Sequence, residues 1–219
     1  MRLLYLHGLG SGAESRTPCV LKKAFPEAVI DHPELPVSPK KAMEFLRKNY
    51  LEDDVYDLVI GTSLGGFFAL ALLFLWQKKL VINPAMFADE DIRNSIGLGE
   101  QHFFGKRSDG AQSYVIDETF LSELREIRTK LYARRDILRP EKMDHNEVNH
   151  TYALFGERDV IARHYNDFCA LYSEKHAFRF DGEHRLTEEN IREVLAPLIR
   201  KILAEPETPF AMVLDRFED

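Results

Sequence analysis

The chain has 219 residues, of which 45% are hydrophobic and 30% are charged, and its formal net charge is -7. This composition excludes an intrinsically disordered chain, and the length suits one globular domain spanning residues 1–219. The mild acidity provides no sequence-wide attraction for nucleic acid, so we expect no nucleic-acid partner. Two cysteines, Cys19 and Cys169, are too few for a disulfide framework, which favours a reducing, cytoplasmic setting.

The sequence carries no pattern typical of secretion or membrane insertion. It reaches His7-Gly8 after six residues, which leaves no room for the apolar region of a secretory leader. The most apolar run, residues 67–76, is far shorter than the ~20 residues that a bilayer span needs. We therefore expect no membrane partner and interpret this run as a helix buried inside the fold.

Short apolar runs alternate with amphipathic stretches along most of the chain, which predicts an α/β fold with a mainly parallel sheet flanked by helices. Strands are predicted at residues 3–6, 28–30, 56–60, 80–82, 151–155 and 177–180, and helices at 17–25, 40–50, 67–76, 118–134, 163–174 and 187–203. Thr187 is the predicted N-cap of the last helix, with Asn190 a poor substitute for the glutamate that usually completes a capping box. The irregular region 86–149 is interpreted as an insertion or lid, not as a second domain.

The strongest chemical signal is Gly61-Thr62-Ser63-Leu64-Gly65, a G-x-S-x-G pattern between a predicted strand and a predicted helix. A turn this tight requires small residues at Gly61 and Gly65, and it holds the serine in strained dihedral angles that expose its hydroxyl. The following helix directs its N-terminus at the site and favours developing negative charge. These features predict a nucleophile, Ser63. The alternative is a glycine-rich turn that closes a loop or holds a phosphate.

A serine hydroxyl needs a base to take its proton and an acid to orient that base. Asp159 and His184 follow the last two predicted strands, in the order serine, acid, histidine, at the sheet edge where α/β folds place their sites. We therefore predict Asp159 as the acid and His184 as the base. Asp159 as a helix N-cap and His184 as a solvated loop residue remain alternatives. The reserve acids are Asp181 and Glu183.

Acyl transfer also needs N–H donors for the tetrahedral oxyanion. One predicted donor is the backbone N–H of Leu64, the residue after the nucleophile. The loop His7-Gly8-Leu9-Gly10-Ser11 follows the first predicted strand and is placed to supply the second donor, the N–H of Leu9. His7 itself precedes the serine at a strand end, and we expect it to brace this loop through hydrogen bonds.

Other site chemistries match the sequence poorly. Gly8, Gly10 and Gly12 form G-x-G-x-G instead of the dinucleotide fingerprint G-x-G-x-x-G, and Asp31 is only loosely placed as its acidic partner. No Walker A loop is present, and the histidines and two cysteines do not have zinc-ligand spacing. These patterns predict neither a bound nucleotide nor a metal.

Five segments together resemble the YqiA-like (UPF0227) esterases of the α/β-hydrolase superfamily. They are His7-Gly8 followed by Ser11, Gly61 to Phe67, Val81-Ile82-Asn83-Pro84-Ala85, Gly156-Glu157-Arg158-Asp159-Val160 and Gly182-Glu183-His184. The resemblance implies a bacterial, cytoplasmic esterase with an α/β-hydrolase fold, a triad of Ser63, Asp159 and His184, short acyl ester substrates and no cofactor. Glu183 before the histidine and Arg185-Leu186 after it depart from the family's usual pattern, which bears on substrate preference.

The prediction is therefore a serine esterase that cleaves small acyl esters through an acyl-enzyme on Ser63. A thioesterase or a small peptidase would use the same three residues. A non-catalytic binding protein on a hydrolase fold is the alternative from another class. The sequence leaves the oligomeric state open.

Overall fold

The computed structural model describes residues 1–51, 56–72, 77–137, 148 and 150–205. Within these ranges the strands are β1 Arg2–Leu6, β2 Val29–Asp31, β3 Leu58–Thr62, β4 Lys78–Ile82, β5 Gly99–His102, β6 Ser113–Ile116, β7 Thr151–Gly156 and β8 Ala177–Phe180. The helices in the same ranges are α1 Arg16–Ala24, α2 Pro39–Leu46, α3 Leu64–Ala71, α4 Ala88–Ser95, α5 Glu118–Ile137, α6 Tyr165–Leu171, α7 Glu188–Asn190 and α8 Ala196–Ala204. A π-helical segment, Arg47–Leu51, extends α2, and a second, Ile191–Leu195, joins α7 to α8.

Six strands form one parallel sheet in the order β2-β1-β3-β4-β7-β8, while β5 and β6 pair separately as an antiparallel hairpin. The predicted α/β class and the six predicted strands of the sheet are confirmed. The chain runs outward from β1 to β2 and then returns to β3, so the order reverses between β1 and β3. Ligands of open α/β sheets bind at such a switch point, outside the carboxyl ends of the strands.

Alternating strand residues bury two cores, one on each face of the sheet. On one face Leu4 and Val59 pack with α2, α3 and α5. On the other face Leu3 and Leu58 pack with α1 and the final helical segment. The strands are nearly continuous apolar runs because both faces of a parallel sheet are covered.

Element boundaries differ from the sequence prediction where polar residues occupy a strand or helix end. β3 spans Leu58–Thr62 instead of 56–60, because Asp57 accepts a hydrogen bond from the N–H of Arg2 and precedes the ladder. The predicted helix at 67–76 begins earlier, at Leu64, and its residues 73–76 lie outside the described residues. Thr187 is the N-cap as predicted. Asn190 completes the capping box, because its side-chain oxygen accepts from the N–H of Thr187 as a glutamate would.

The region from residue 86 onward contains α4, the β5–β6 hairpin and α5 before the chain returns to β7. The amphipathic helix predicted at 118–134 is confirmed as α5. The hairpin was not predicted, because β5 reads Gly-Glu-Gln-His and has no apolar alternation. Residues 138–147 and 149 of the predicted insertion lie outside the described residues.

Candidate active site at the carboxyl edge of the sheet

Ser63 occupies a strained turn between β3 and α3. Its dihedral angles are φ 54° and ψ -117°, a region that residues with a side chain rarely adopt. The neighbouring glycines are required by space: a Cβ on Gly61 would lie 2.3 Å from the carbonyl oxygen of Gly65, and a Cβ on Gly65 would lie 2.1 Å from that of Leu6. The N–H of Ser63 donates to Ile82 of β4. The predicted tight, strained turn is confirmed.

Three residues distant in sequence form a hydrogen-bonded chain at this turn. His184 follows β8, and its Nε2 lies 2.9 Å from Oγ of Ser63. Its Nδ1 lies 2.7 Å from Oδ2 of Asp159, which follows β7. Because a carboxylate only accepts, Nδ1–H is the donor to Asp159, and Nε2 is then free to accept the proton of the Ser63 hydroxyl. The structure thus brings together the serine, histidine and aspartate that the sequence singled out.

Asp159 is held as a carboxylate although it is only 5% exposed. Burial raises its pKa, but the hydrogen bond from His184, the electrostatic interaction with that ring and the N–H groups of Ile161 and Ala162 together lower that pKa below its ordinary value. Those two amides donate to Oδ1 at 2.7 and 3.1 Å, which leaves Oδ2 to His184. The alternative role as N-cap of the next helix is wrong, since α6 begins at Tyr165 with His164 as its N-cap.

Asn83 fixes the loop that carries His184, and sequence reasoning assigned it no such role. It is fully buried just after β4, and its Nδ2 donates to the carbonyl oxygens of Glu183 (3.1 Å) and His184 (3.0 Å). Its Oδ1 accepts the N–H of Gly156 at 2.7 Å. Its φ of 43° lies in the left-handed region, which asparagine tolerates better than most residues. The only sequence feature that draws attention to this position is an Asn-Pro pair directly after a buried strand.

The loop after β1 lies against Ser63. A Cβ on Gly8 would lie 3.3 Å from Cβ of Ser63, so only glycine allows this approach without displacement. The N–H groups of Leu9 and Leu64 have no hydrogen-bond acceptor among the described residues, and both residues line the same cavity as Ser63. The predicted bracing role of His7 agrees with its contacts: Nδ1 donates to the carbonyl of Gly8, and Nε2 accepts the N–H of Leu35.

Ser63 and His184 open into a cavity of about 360 Å³. Its lining includes the apolar residues Ile92, Ile96 and Ile161. It also includes two arginines, Arg16 and Arg185. The cavity is thus suited to a small organic molecule with an apolar and a polar part.

The other titratable residues considered in the sequence lie outside the hydrogen-bonded chain of Ser63, His184 and Asp159. Asp181 pairs with Arg158, and among the described residues the exposed side chain of Glu183 forms no hydrogen bond or ion pair with His184. His164 lies between Asp91 and Asp167. The remaining histidines are His32, whose Nδ1 lies 3.0 Å from the carbonyl oxygen of Ala13, His176, which stacks on Tyr152, His102, which lies on β5 and lines the cavity, His150 before β7, and His145, which lies outside the described residues.

Asp31 does close β2, more clearly than the sequence indicated. Its carboxylate accepts hydrogen bonds from Tyr56 and Arg2, so it is occupied as a structural partner. In the described part of the chain, no group of three or more histidine, cysteine, aspartate or glutamate residues could hold a metal ion. No helix within the same ranges combines the length and apolarity needed to cross a membrane.

Solved structures similar to this chain share its fold at low sequence identity. The monoacylglycerol lipase of Paleococcus ferrophilus aligns with a TM-score of 0.60 and 12% identity, covering 93% of this chain and 94% of that one. Mouse alpha/beta hydrolase domain-containing protein 10 aligns with a TM-score of 0.56 and 13% identity, covering 92% and 89%. Est1E from Butyrivibrio proteoclasticus aligns with a TM-score of 0.54 and 13% identity, covering 93% and 88%. The fold is therefore the α/β-hydrolase fold.

The sequence comparisons identify the family. No curated protein matches the chain at a significant level. Residues 2–188 match the profile described as "Uncharacterised protein family (UPF0227)". This match includes β1 to β8, the strained turn at Ser63 and the loops that carry Asp159 and His184. The chain belongs to the UPF0227 family.

Proposed function

We propose that the chain is a serine hydrolase that cleaves small carboxylic esters, with Ser63 as nucleophile, His184 as general base and acid, and Asp159 as the acid that orients the histidine. The observation that carries the proposal is the hydrogen-bonded chain from Ser63 through His184 to Asp159, at 2.9 and 2.7 Å, starting from a strained turn. Fold alone would not support it, because one fold hosts many functions.

In the proposed reaction, Oγ of Ser63 attacks the ester carbonyl carbon while Nε2 of His184 takes the hydroxyl proton. The carbonyl oxygen becomes an oxyanion, and the N–H groups of Leu9 and Leu64 donate to it. When the tetrahedral intermediate collapses, the carbon–oxygen bond to the alcohol breaks and His184 returns its proton to that oxygen. Water then attacks the acyl-enzyme, again losing a proton to His184, and the acid and free Ser63 are released.

Two features outside the hydrogen-bonded chain support an ester substrate. The cavity beside Ser63 is small and partly apolar, as a short acyl group requires. Structural neighbours are named as a lipase and an esterase. We further propose that residues 1–219 form one domain and that region 86–149 forms the wall over the site, since Ile92, Phe104 and Tyr114 from it line the cavity.

The decisive experiment is labelling with a fluorophosphonate probe, which reacts covalently with an activated serine. The unaltered chain should be labelled and should hydrolyse p-nitrophenyl butyrate. Ser63→Ala should abolish both, whereas the matched control Ser173→Ala, at a serine outside the cavity, should leave both unchanged. Absence of labelling in the unaltered chain, or equal labelling of Ser63→Ala, would overturn the proposal.

A thioesterase or a peptidase would use the same residues with another leaving group. Comparing kcat/KM for p-nitrophenyl esters, acyl thioesters and aminoacyl anilides separates these activities. We expect the esters to be preferred. A non-catalytic protein on this fold would turn over none of them.

A further inference from the structure

Two arginines give the substrate cavity a basic wall. Arg185 follows His184 directly, and Arg16 is the first residue of α1; both line the cavity that contains Ser63. Nη1 of Arg16 donates to the carbonyl of Leu186 at 3.1 Å, which ties the start of α1 to the segment that carries Arg185. The hydrogen bond therefore links Arg16 to the same short segment that carries Arg185 and the proposed base His184.

The guanidinium of Arg185 lies over an aromatic ring that lines the same cavity. Its Cζ lies 3.7 Å from the ring centre of Phe104, which also lines the cavity. Stacking on a ring occupies the face of a guanidinium and leaves its in-plane N–H groups free for a bidentate acceptor. Burial raises the pKa of the Tyr114 hydroxyl while the charge of Arg185 opposes this rise, so this phenol is a nearby protonated donor.

The positive charge of this wall is uncompensated. Among the described residues, no carboxylate forms an ion pair with Arg16 or Arg185. Asp91 is the one acidic residue among the described cavity residues, and its carboxylate is bound by His164 at 2.9 Å. Both arginine side chains are exposed, and both line the cavity beside Ser63, so their N–H groups are available to an anionic group of a molecule bound there.

We propose that the preferred substrates are esters that carry a second, anionic group, a carboxylate or a phosphate, which Arg185 and Arg16 bind while the apolar residues of the cavity contact the rest. This inference rests on the proposed hydrolase function and specifies its substrate class. Arginine suits both anions, because its planar fork matches their paired oxygens.

Matched ester pairs test the proposal with the full chain. The first pair is mono-p-nitrophenyl adipate against its methyl ester, which differ by a charge on the acyl side. The second is 4-carboxyphenyl butyrate against its methyl ester, which places the charge on the leaving group. A third substrate, 4-phosphonooxyphenyl butyrate, tests phosphate. We expect kcat/KM for the anionic member of one pair to be at least about tenfold higher than for its methyl ester, or kcat/KM for the phosphate ester to be at least about tenfold higher than for the methyl ester of 4-carboxyphenyl butyrate.

Substitution of the arginines should remove that preference selectively. Arg185→Gln and the double variant with Arg16→Gln should lower kcat/KM for the anionic ester by about ten- to one-hundredfold, as expected for loss of a charge-assisted hydrogen bond. The neutral ester should change less than about threefold by the same reasoning. Arg192→Gln, at an exposed arginine outside the cavity, is the matched control.

A measurement on the unaltered chain guards against misfolded variants. Free adipate or inorganic phosphate should competitively inhibit hydrolysis of neutral p-nitrophenyl butyrate, and the stronger inhibitor should match the preferred ester. Equal turnover of charged and neutral esters, a preference that survives the double substitution, or no inhibition by either anion would overturn the inference while esterase activity stands. Absence of both ester turnover and Ser63 labelling would overturn the proposed function and this inference together.

Discussion

Replacing Asn83 should both destabilise the protein and slow ester hydrolysis. This one side chain, just after β4, is hydrogen-bonded to the end of β7 and to the loop that carries His184. Its amide group holds the carbonyls of Glu183 and His184, and its oxygen holds the N–H of Gly156. In Asn83→Ala all three partners lose their bonds inside the protein. The loop that places Nε2 of His184 at 2.9 Å from Ser63 is then less constrained.

The size of the effect follows from the contacts. Three hydrogen bonds at about 1 kcal/mol each, with about 1 kcal/mol for placing alanine at a positive φ, give a loss of about 4 kcal/mol. In a chain of this size that corresponds to a fall in Tm of roughly 8–16 °C. Asn83→Gly removes the same bonds without the φ penalty, so it should be about 1 kcal/mol less destabilising than Asn83→Ala by that reasoning.

Thermal unfolding and steady-state hydrolysis of p-nitrophenyl butyrate measure the two consequences. We expect kcat for Asn83→Ala to fall about ten- to one-hundredfold while KM changes little, since a small misplacement of a catalytic group can cost this much. Asn94→Ala, at an exposed asparagine of α4, is the matched control and should change neither quantity. If Asn83→Ala melts within about 2 °C of the unaltered chain with full kcat, then Asn83 does not position His184.

Three further outcomes concern the candidate site and the residues that support the fold around it. Asp159→Asn should lower kcat by about 10⁴-fold with little change in Tm, because the amide favours the wrong histidine tautomer; retained turnover would reassign the acid. Gly65→Ala should prevent folding, as measured by circular dichroism, since the added Cβ would lie 2.1 Å from the carbonyl of Leu6, whereas Gly105→Ala meets nothing within 4 Å and should fold. Burial lowers the pKa of His164, but hydrogen bonds with its two aspartate partners outweigh this and raise that pKa above its ordinary value. The stabilisation that protonated His164 provides is therefore complete below about pH 6.5 and is lost as the pH rises through the folded-state pKa. His164→Gln should consequently lower the free energy of unfolding more at pH 6 than at pH 9. An equal loss at both pH values would contradict this.

The core of the fold and the three residues at the strained turn were predictable because their signals are local. The turn from Gly61 to Gly65 is recognisable from five consecutive residues, because a side chain at Gly61 or Gly65 would clash with the backbone. The chain order of Ser63, Asp159 and His184 then places each after a parallel strand, and all carboxyl ends of such strands share one edge of the sheet.

The role of Asn83 was not predictable in the same way. Its bonds reach Gly156, Glu183 and His184, 73 to 101 residues further along the chain. The residues around Asn83-Pro84 contain no pattern that identifies those partners, and the pair by itself indicates only the end of a strand. Hydrogen bonds to backbone atoms are especially difficult to infer, because every residue type carries the same groups.

The β5–β6 hairpin lies in the region predicted as an insertion, yet residues next to it support the candidate active site. The N–H of Phe104 donates to the carbonyl of Gly10 at 2.8 Å, and Gly10 has a φ of 72° with no space for a side chain beneath that ring. Arg107, nearly buried, pairs with Glu34 and donates to the carbonyl of Leu35, whose N–H is bound by His7. The residues after β5 therefore hold the loop that presents Leu9. Because Phe104 also supports Arg185, one short segment without any sequence pattern connects the proposed oxyanion donor to the proposed anion site.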